Sequence, residues 1–291
     1  MSDKVKTINP LDVPTSVFHA YMLGAVAPRP IAFASTIDNE GRVNLAPFSF
    51  FNAFGANPPL LIFSPARRVR DNTIKHTLEN VYHNDEVVIN IVDYAMVEQM
   101  SLASCEYDRG TNEFEKAGLT PVASTMVRPP RVAESPAAFE CKVIQVIETG
   151  TEGGAGNLIL CQVVLAHFKE DILDANGKID PTRLDAVARM GGDWYCRANG
   201  DALFEVPKPN EKKGIGFDSL PAKVKTSNIL TGNELARLAN VEALPTPTEI
   251  YEFMQHNSSL KFNSIDEQHI AVSQLLRQNR LKEAWLTILH E

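Results

Sequence analysis

Two short stretches in the N-terminal third of the chain carry side chains that could bind a small ligand. The first ends in Ser49, Phe50, Phe51 and Asn52, where hydroxyl, aromatic and amide groups are crowded together. Such a set of groups suits a flat heterocycle with polar edges. An ordinary buried hairpin is the alternative interpretation of the same residues.

The second stretch reverses the sign of charge within an acidic chain. Arg67, Arg68, Arg70 and Lys75 lie within residues 67–75, and only Asp71 opposes them. We expect a helix to begin here, and the free N–H groups and dipole of a helix N-terminus stabilise anions. Arginine adds bidentate donors and lysine adds a point charge, so one phosphate is the simplest ligand. A solvated basic loop is the alternative.

Together the two stretches predict a site for a phosphorylated aromatic cofactor. The sequence lacks GxGxxG after a strand, which disfavours a Rossmann-type dinucleotide site, and it lacks the GxxxxGK[ST] of a P-loop. It also lacks HExxH and CxxC spacings, so we predict no metal site and expect free, buried cysteines. No catalytic triad or dyad is recognisable, and we assign no catalytic residue.

Composition limits the classes of partner. The net charge of −8 at pH 7 argues against a general binder of nucleic acid or of anionic membranes. Hydrophobic residues make up 44% of the chain, so a packed core is expected. No apolar run approaches the roughly 20 residues of a spanning helix, and the N-terminus has no apolar signal region. We therefore expect a soluble, cytoplasmic protein.

The elements that position the two stretches are mostly predicted strands. Residues 31–36 and 43–51 form a hairpin around the turn Asp38-Asn39-Glu40-Gly41, in which Gly41 can adopt a positive φ. Further strands are predicted at 60–63, 86–92, 120–126, 139–148, 157–168 and 203–206. Helices are predicted at 15–23, from 71 or 72 onward, at 94–104 and at 111–117.

The composition changes after Pro207, and the β-character ends near residue 215. We predict an N-terminal arm at 1–14, a β-rich domain at 15–207, a linker at 208–214 and a C-terminal helical extension at 215–291. Thr231 and Glu234 have the spacing of a capping box. Helices of the extension are predicted at 231–238, 248–255, 266–276 and 281–289.

The order of the motifs resembles the flavin reductase-like proteins of the FMN-binding split barrel, with flavoredoxin-like members as the most similar group. PRPIAFAST, a DxxG turn, NLAPFSFFN, PP, RRVRDNT and KHTLENV follow one another, and EFEKAGLTPV and RMGGDWY continue the series. The resemblance covers residues 15–206. The helical extension lies outside it.

The resemblance implies a mainly β fold: a six-stranded antiparallel Greek-key split barrel with flanking helices, plus the all-helical extension. It also implies non-covalently bound FMN and a homodimer with sites near the interface. We expect the extension to cover the barrel or the dimer interface. A lid over the flavin and a docking site for an acceptor protein are the alternatives.

Carried over position by position, the resemblance implies cofactor contacts from both stretches. Those from the strands are Arg29, Ser35, Thr36, Ser49, Phe50, Phe51 and Asn52. Those from the phosphate-binding stretch and its surroundings are Arg67, Lys75, Thr77, Asn80, Asn90 and Tyr195. Arg29 is placed at the pyrimidine edge of the flavin, where a cation favours the reduced state.

Structural roles compete with these assignments. Phe50 and Phe51 are adjacent, so in a strand they point to opposite faces and only one can contact the ring. Asn80 and Asn90 have the alternative role of pairing with the backbone.

The resemblance implies an FMN-dependent oxidoreductase of the NAD(P)H:flavin reductase type. A nicotinamide donates hydride to the flavin, which passes electrons to free flavin, an oxygenase, iron or another redox protein. One alternative is a flavoredoxin-like electron carrier without NAD(P)H turnover. Another is a cofactor-free binding or scaffold protein.

Overall fold

The computed structural model describes residues 4–207, 209, 212–257 and 260–290. Contacts divide the chain after Phe204 into two compact units, the first rich in strands and the second helical. Residues 1–3 of the predicted arm, residues 208, 210 and 211 of the predicted linker, and residues 258, 259 and 291 of the predicted extension lie outside the described residues.

The first unit is built on one antiparallel sheet with strand order β2-β1-β5-β8-β9-β4-β3. Two short pairs, β6 with β7 and β10 with β11, lie outside it. The strands are, in chain order, β1 (Ala32–Ile37), β2 (Val43–Phe48), β3 (Phe51–Ala56), β4 (Pro59–Phe63), β5 (Glu86–Ile91), β6 (Pro121–Val122), β7 (Arg131–Val132), β8 (Ala137–Glu148), β9 (Asn157–Phe168), β10 (Val187–Arg189) and β11 (Tyr195–Arg197).

The predicted mainly β, antiparallel architecture is confirmed, but the count of six strands is not. The main sheet has seven strands because the run 43–51 is two strands, β2 and β3, interrupted at Ser49 and Phe50. β2 and β3 lie at opposite ends of the strand order, and no pairing between them closes a barrel in the described part of the chain. Pro47 lacks an N–H group and is accommodated because β2 is an edge strand.

Strands β8 and β9 form the long antiparallel ribbon that the sequence predicts. The pairing runs from Ala137 opposite Phe168 to Glu148 opposite Asn157. The predicted strand at 120–126 is reduced to the two residues of β6, and the described residues of 203–206 contain no strand. Neither segment has a partner in the main sheet, so its local β-propensity is not reinforced by pairing.

The helices of the first unit are α1 (Thr15–Ala25), α2 (His76–His83), α3 (Val97–Leu102), α4 (Glu113–Ala117) and α5 (Pro181–Leu184). The expectation that the helix after the basic cluster begins at residue 71 or 72 is wrong. The Asp71 carboxylate accepts hydrogen bonds from the backbone N–H and the hydroxyl of Thr73, and Asn72 has a φ of 59°. This turn delays the helix to His76, so the arginines lie in a loop and Lys75 is the N-cap residue.

Buried side chains pack on both faces of the sheet. Phe33 of β1 belongs to a cluster with Leu45, Met96 and Phe114. On the opposite face, Ala32 and Ala34 belong to a second cluster that includes Phe63, Leu78 and Ile89. Every residue of β1 is buried, which agrees with its central position beside both β2 and β5. The expectation of buried thiols holds for Cys141 and Cys161 but not for Cys105, which is exposed, or for Cys196, which is half-buried.

The second unit contains only helices among its described elements. They are α6 (Ala222–Lys225), α7 (Gly232–Ala239), α8 (Pro247–His256), α9 (Ile265–Arg277) and α10 (Leu281–Leu289). The predicted capping box of Thr231 and Glu234 is confirmed, and Thr246 with Glu249 forms a second one. Trp285 is buried in the core of this unit and donates a hydrogen bond to the Leu238 carbonyl at 3.0 Å.

Within the described part of the chain, the helices lack the combination of length and apolar character that crossing a bilayer requires.

Candidate functional site

Two neighbouring cavities are each lined in part by residues of β2. The first, which we call the polar cavity, has a volume of about 40 Å³ and is lined by residues that include Asn44, Arg68, Lys75, Thr77, Glu106 and Glu113. The second, which we call the ring cavity, has a volume of about 190 Å³ and is lined by Ile31, Pro47, Ser49, Met100, Arg189 and Tyr195. Ser104 lines both cavities, so they adjoin.

Lys75 supplies the positive charge of the polar cavity that lacks a counterion. Burial is the main cause that lowers the pKa of Lys75, and the positive charges of Arg68 and Arg70 lower it further. None of the described residues forms an ion pair or a hydrogen bond with the Lys75 ammonium group. A partly buried cation beside other cations is unfavourable by itself, so an anionic ligand would be stabilised at this position.

Arg68 is the arginine that lines the polar cavity, whereas the predicted Arg67 is not among its lining residues. The Arg68 guanidinium donates to the Thr73 hydroxyl at 2.7 Å and to the Ile74 carbonyl at 2.9 Å. The Arg67 guanidinium instead donates to the side chain and the carbonyl of Asn72, at 2.7 and 2.9 Å. Arg67 therefore holds the loop that presents Arg68 and Lys75.

Glu113 is a buried carboxylate in the wall of the polar cavity. It accepts hydrogen bonds at 2.9 Å from the Leu45 backbone N–H and from the Asn44 amide. The Asn44 carbonyl oxygen in turn accepts from the Thr77 hydroxyl at 2.7 Å. Burial raises the pKa of Glu113, and the hydrogen bond from Leu45 opposes this shift. The chain of bonds fixes α2, α4 and β2 around the cavity.

The predicted residues Ser35, Thr36, Asn80 and Asn90 are buried and line neither of these cavities. Asn80 does line a third cavity of about 10 Å³, which shares Asn44 with the polar cavity. The Thr36 hydroxyl accepts from the Asn80 amide at 3.1 Å. Asn90 donates to the Phe33 carbonyl and accepts from the N–H of the second residue of β7, both at 3.0 Å. In the described part of the chain, no group hydrogen-bonds the Ser35 hydroxyl. Thr36, Asn80 and Asn90 thus stabilise the fold in this structure.

Arg29 has its guanidinium committed to backbone carbonyls. It donates to the carbonyls of Leu23 and Val26 at 2.6 Å and to that of Met190 at 2.9 Å, with Ser49 at 3.4 Å. Only 6% of the residue is exposed. Arg29 therefore fixes the end of α1 and the segment after β10 beside the ring cavity.

The cation in the wall of the ring cavity is Arg189. Its guanidinium carbon lies 4.6 Å from the centre of the Tyr195 ring, which is a cation–π contact. Tyr195 also packs against the buried cluster that contains Phe33. The adjacent Trp194, by contrast, is 78% exposed. The ring cavity therefore combines apolar walls with two serine hydroxyl groups, one phenol and one guanidinium.

Phe50, Phe51 and Asn52 line neither cavity. Phe51 packs against the core cluster that contains Phe63, and Phe50 meets the His19 ring edge-on at 6.2 Å. The exposed Asn52 accepts a hydrogen bond from the N–H of the next residue at 2.8 Å. Of the predicted residues, the structure brings together Ser49, Lys75, Thr77 and Tyr195 around the two cavities.

Comparison with known proteins assigns the strand-rich first unit to a family. Residues 23–183 match the family described as "Flavin reductase like domain". The chain belongs to the flavin reductase-like family. The resemblance inferred from the order of motifs is thereby confirmed. The matched residues lie within the first unit, and the helical unit lies beyond them.

Relatives of this flavin reductase-like chain cover about two thirds of it. A protein of Halalkalibacterium halodurans is 38% identical over 204 residues, which are 69% of this chain and 96% of the relative. The structure of nitrilotriacetate monooxygenase component B from Bacillus cereus matches with a TM-score of 0.66 at 29% identity, covering 70% of this chain and all of that one. That of 2-nitrobenzoate 2-nitroreductase from Pseudomonas fluorescens matches with a TM-score of 0.60 at 28% identity, covering 69% and 96%.

Several residues that line the two cavities are not among the cofactor contacts that the sequence predicts. Arg68 belongs to the basic cluster at residues 67–75, but the sequence predicts its neighbour Arg67 as the cofactor contact. Glu113 and Arg189 stand within or next to the recognised EFEKAGLTPV and RMGGDWY motifs, so the signal was present without an assigned role. Asn44 opens the recognised NLAPFSFFN motif, but its role depends on a hydrogen bond to Glu113, which is distant in sequence.

Proposed function

We propose that this protein binds FMN and acts as an FMN-dependent oxidoreductase, with NADH or NADPH as the hydride donor. The family match supports a flavin, and the geometry of the site supports the mononucleotide. The acceptor is proposed to be free flavin, an oxygenase or another redox protein. The relative from Bacillus cereus is named as one component of a monooxygenase, which supports a separate oxygenase as the acceptor.

The observation that carries the proposal is the arrangement of the two cavities along β2. At one end, the ammonium group of Lys75 lacks a partner among the described residues and stands near the guanidinium of Arg68. At the other end, Tyr195 and Met100 line a cavity suited to an aromatic ring. FMN has a phosphate and an aromatic ring joined by a flexible chain, so both ends have a complementary group.

The size of the polar cavity favours FMN over FAD. A volume of about 40 Å³ is a few times the roughly 10–15 Å³ that a cavity needs to hold one water. A single phosphate needs little more room once side chains adjust. A diphosphate with an adenosine would have to extend out of this cavity.

The residues present fit a flavin, and their proposed roles follow from position. Lys75 and Arg68 would hold the phosphate through charge-assisted hydrogen bonds. Ser49 and Tyr195 would orient the ring, and Arg189 would stabilise negative charge at its edge. A bound flavin would supply the hydride and electron chemistry. No side chain is proposed as a general acid, a base or a nucleophile.

We further propose a homodimer in which a second copy covers the flavin. The ring cavity, at about 190 Å³, is smaller than the roughly 300–1,000 Å³ of typical ligand sites. α1 is rich in apolar residues, yet none of its residues is buried, and Val17, Tyr21 and Met22 are each more than 40% exposed. Its C-terminal end is bonded to Arg29 beside the ring cavity, so a partner seated on α1 would adjoin the flavin.

The test is a visible absorbance spectrum of the purified protein, recorded anaerobically before and after addition of NADH or NADPH. We expect a flavin spectrum, either as purified or after addition of FMN, that one of the nucleotides bleaches. A flavin spectrum that only dithionite bleaches would indicate an electron carrier instead. A protein that is colourless and does not bind added FMN would contradict the proposal and favour a scaffold role.

A further inference from the structure

Glu106 places a carboxylate at the cationic end of the site. Its Oε1 atom lies 3.1 Å from Nε of Arg68, and its Oε2 atom lies 2.5 Å from Nη2 of Arg70. The residue also lines the polar cavity together with Lys75. Its side chain is 46% exposed, so it can move away without opening a buried core. An anion entering this cavity therefore meets a negative charge that already occupies the arginines.

The arginines do not depend on Glu106 for their positions. Arg68 is held independently by the Thr73 hydroxyl and the Ile74 carbonyl. Arg70 is paired with Asp71 at 3.0 Å. Removal of the Glu106 charge would therefore leave the Arg68 guanidinium in place and free its Nε–H group for another acceptor. The main contribution of Glu106 to ligand binding is electrostatic repulsion and competition, not support.

We propose that Glu106 is an intramolecular competitor for the ligand phosphate, which weakens flavin binding and keeps the flavin exchangeable. The inference rests on the proposed function, because it requires a phosphorylated flavin in this site. Hydrogen bonding to Arg70 lowers the pKa of Glu106, so the competing carboxylate stays ionised at neutral pH. A ligand without a phosphate does not compete for Arg68 and is insensitive to this carboxylate.

The experiment compares the dissociation constants of FMN and riboflavin for the full-length protein and for Glu106→Gln. The variant loses the two ion pairs of the exposed Glu106 carboxylate, so the arginines no longer have a competing partner. We therefore expect FMN to bind about fivefold more tightly and to dissociate more slowly. Riboflavin, which lacks the phosphate, should bind unchanged. Glu170→Gln removes the same charge from an exposed position that lines neither cavity, and it should leave both constants unchanged.

The outcomes separate this inference from the function on which it rests. If Lys75→Ala weakens FMN binding but Glu106→Gln leaves it unchanged or weaker, the competitor role is overturned, and weaker binding would show that Glu106 supports the arginines. Equal tightening of FMN and riboflavin would overturn it as well, because the effect would not involve the phosphate. If the unmodified protein binds no FMN, the proposed function fails and the inference fails with it.

Discussion

At the scale of single residues, the surroundings of Lys75 favour the binding of an anion. Its ammonium group is partly buried at the start of α2, and this burial lowers its pKa. The positive charges of Arg68 and Arg70 lower the pKa of Lys75 further. Glu106 is the only described acid that opposes this shift among its main causes, and it is already paired with both arginines. Such a cation costs less free energy when an anion is bound, which couples the local electrostatics to function.

Lys75→Ala should therefore weaken FMN binding through the phosphate. A charge-assisted hydrogen bond contributes about 1.5–3 kcal/mol, so we expect a loss of at least about tenfold in affinity. Titration of FMN followed by fluorescence or absorbance measures the loss, and riboflavin should be unaffected. Lys178→Ala, at an exposed site away from both cavities, is the matched control. Equal effects of Lys75→Ala on FMN and riboflavin would contradict a phosphate contact.

At the scale of elements, buried charged groups tie loops to the sheet. Glu86 of β5 is 8% exposed and accepts hydrogen bonds from Lys142 of β8 at 2.7 Å and from Arg128, both backbone and side chain, at 3.0 and 2.9 Å. Burial by itself raises the pKa of Glu86, but the bonds from Lys142 and Arg128 outweigh it and bring the pKa to about 2. The ionised carboxylate thus links β5, β8 and the loop before β7.

The depressed pKa of Glu86 makes the stability of this region depend on pH. The folded pKa of about 2 lies below the ordinary value of 4.5, so the stabilisation is present above 4.5 and is lost as the pH falls toward 2. Glu86→Gln should lower the free energy of unfolding at neutral pH and flatten its decline over that window. Denaturant unfolding at several pH values measures both effects.

Glu170→Gln, at an exposed position, serves as the control for Glu86→Gln and should follow the pH dependence of the unmodified protein. Parallel curves for Glu86→Gln and the unmodified protein would show that Glu86 does not carry the linkage.

At the scale of the whole molecule, the flavin reductase-like part and the helical unit are two distinct compact units. The family match ends at residue 183, and the described residues that line the two cavities all belong to the first unit. The helical unit has its own buried core around Leu238, Leu276 and Trp285. Each unit therefore has the hydrophobic core that an independently folded domain needs.

Cleavage between the units, for example with trypsin near Lys212 and Lys213, should leave flavin binding intact. We expect the N-terminal fragment to keep its affinity for FMN and to elute as a dimer, because its site and α1 are unchanged. Titration of the purified fragment and size-exclusion chromatography test the two statements. A large loss of FMN affinity would instead support a lid, and a change to monomer would support a tail that stabilises the dimer.

Local patterns in the sequence determined much of the fold. β9 and α10 have the bounds that periodicity predicts, and Thr231 forms its capping box. These features depend on side chains a few residues apart, so they are encoded within one element. The family, the basic cluster, and four residues around the cavities were likewise recognisable from the order and types of residues along the chain.

Only the tertiary structure decided which groups line the two cavities. Arg67 and Arg68 are neighbours with the same chemistry, and the turn at Asn72 decides that Arg68 lines the cavity. Arg29 is occupied by the carbonyl of Met190, and Glu113 by the backbone of Leu45, contacts between residues far apart in sequence. No local pattern encodes such pairs, because they form only when the sheet brings its edges and loops together.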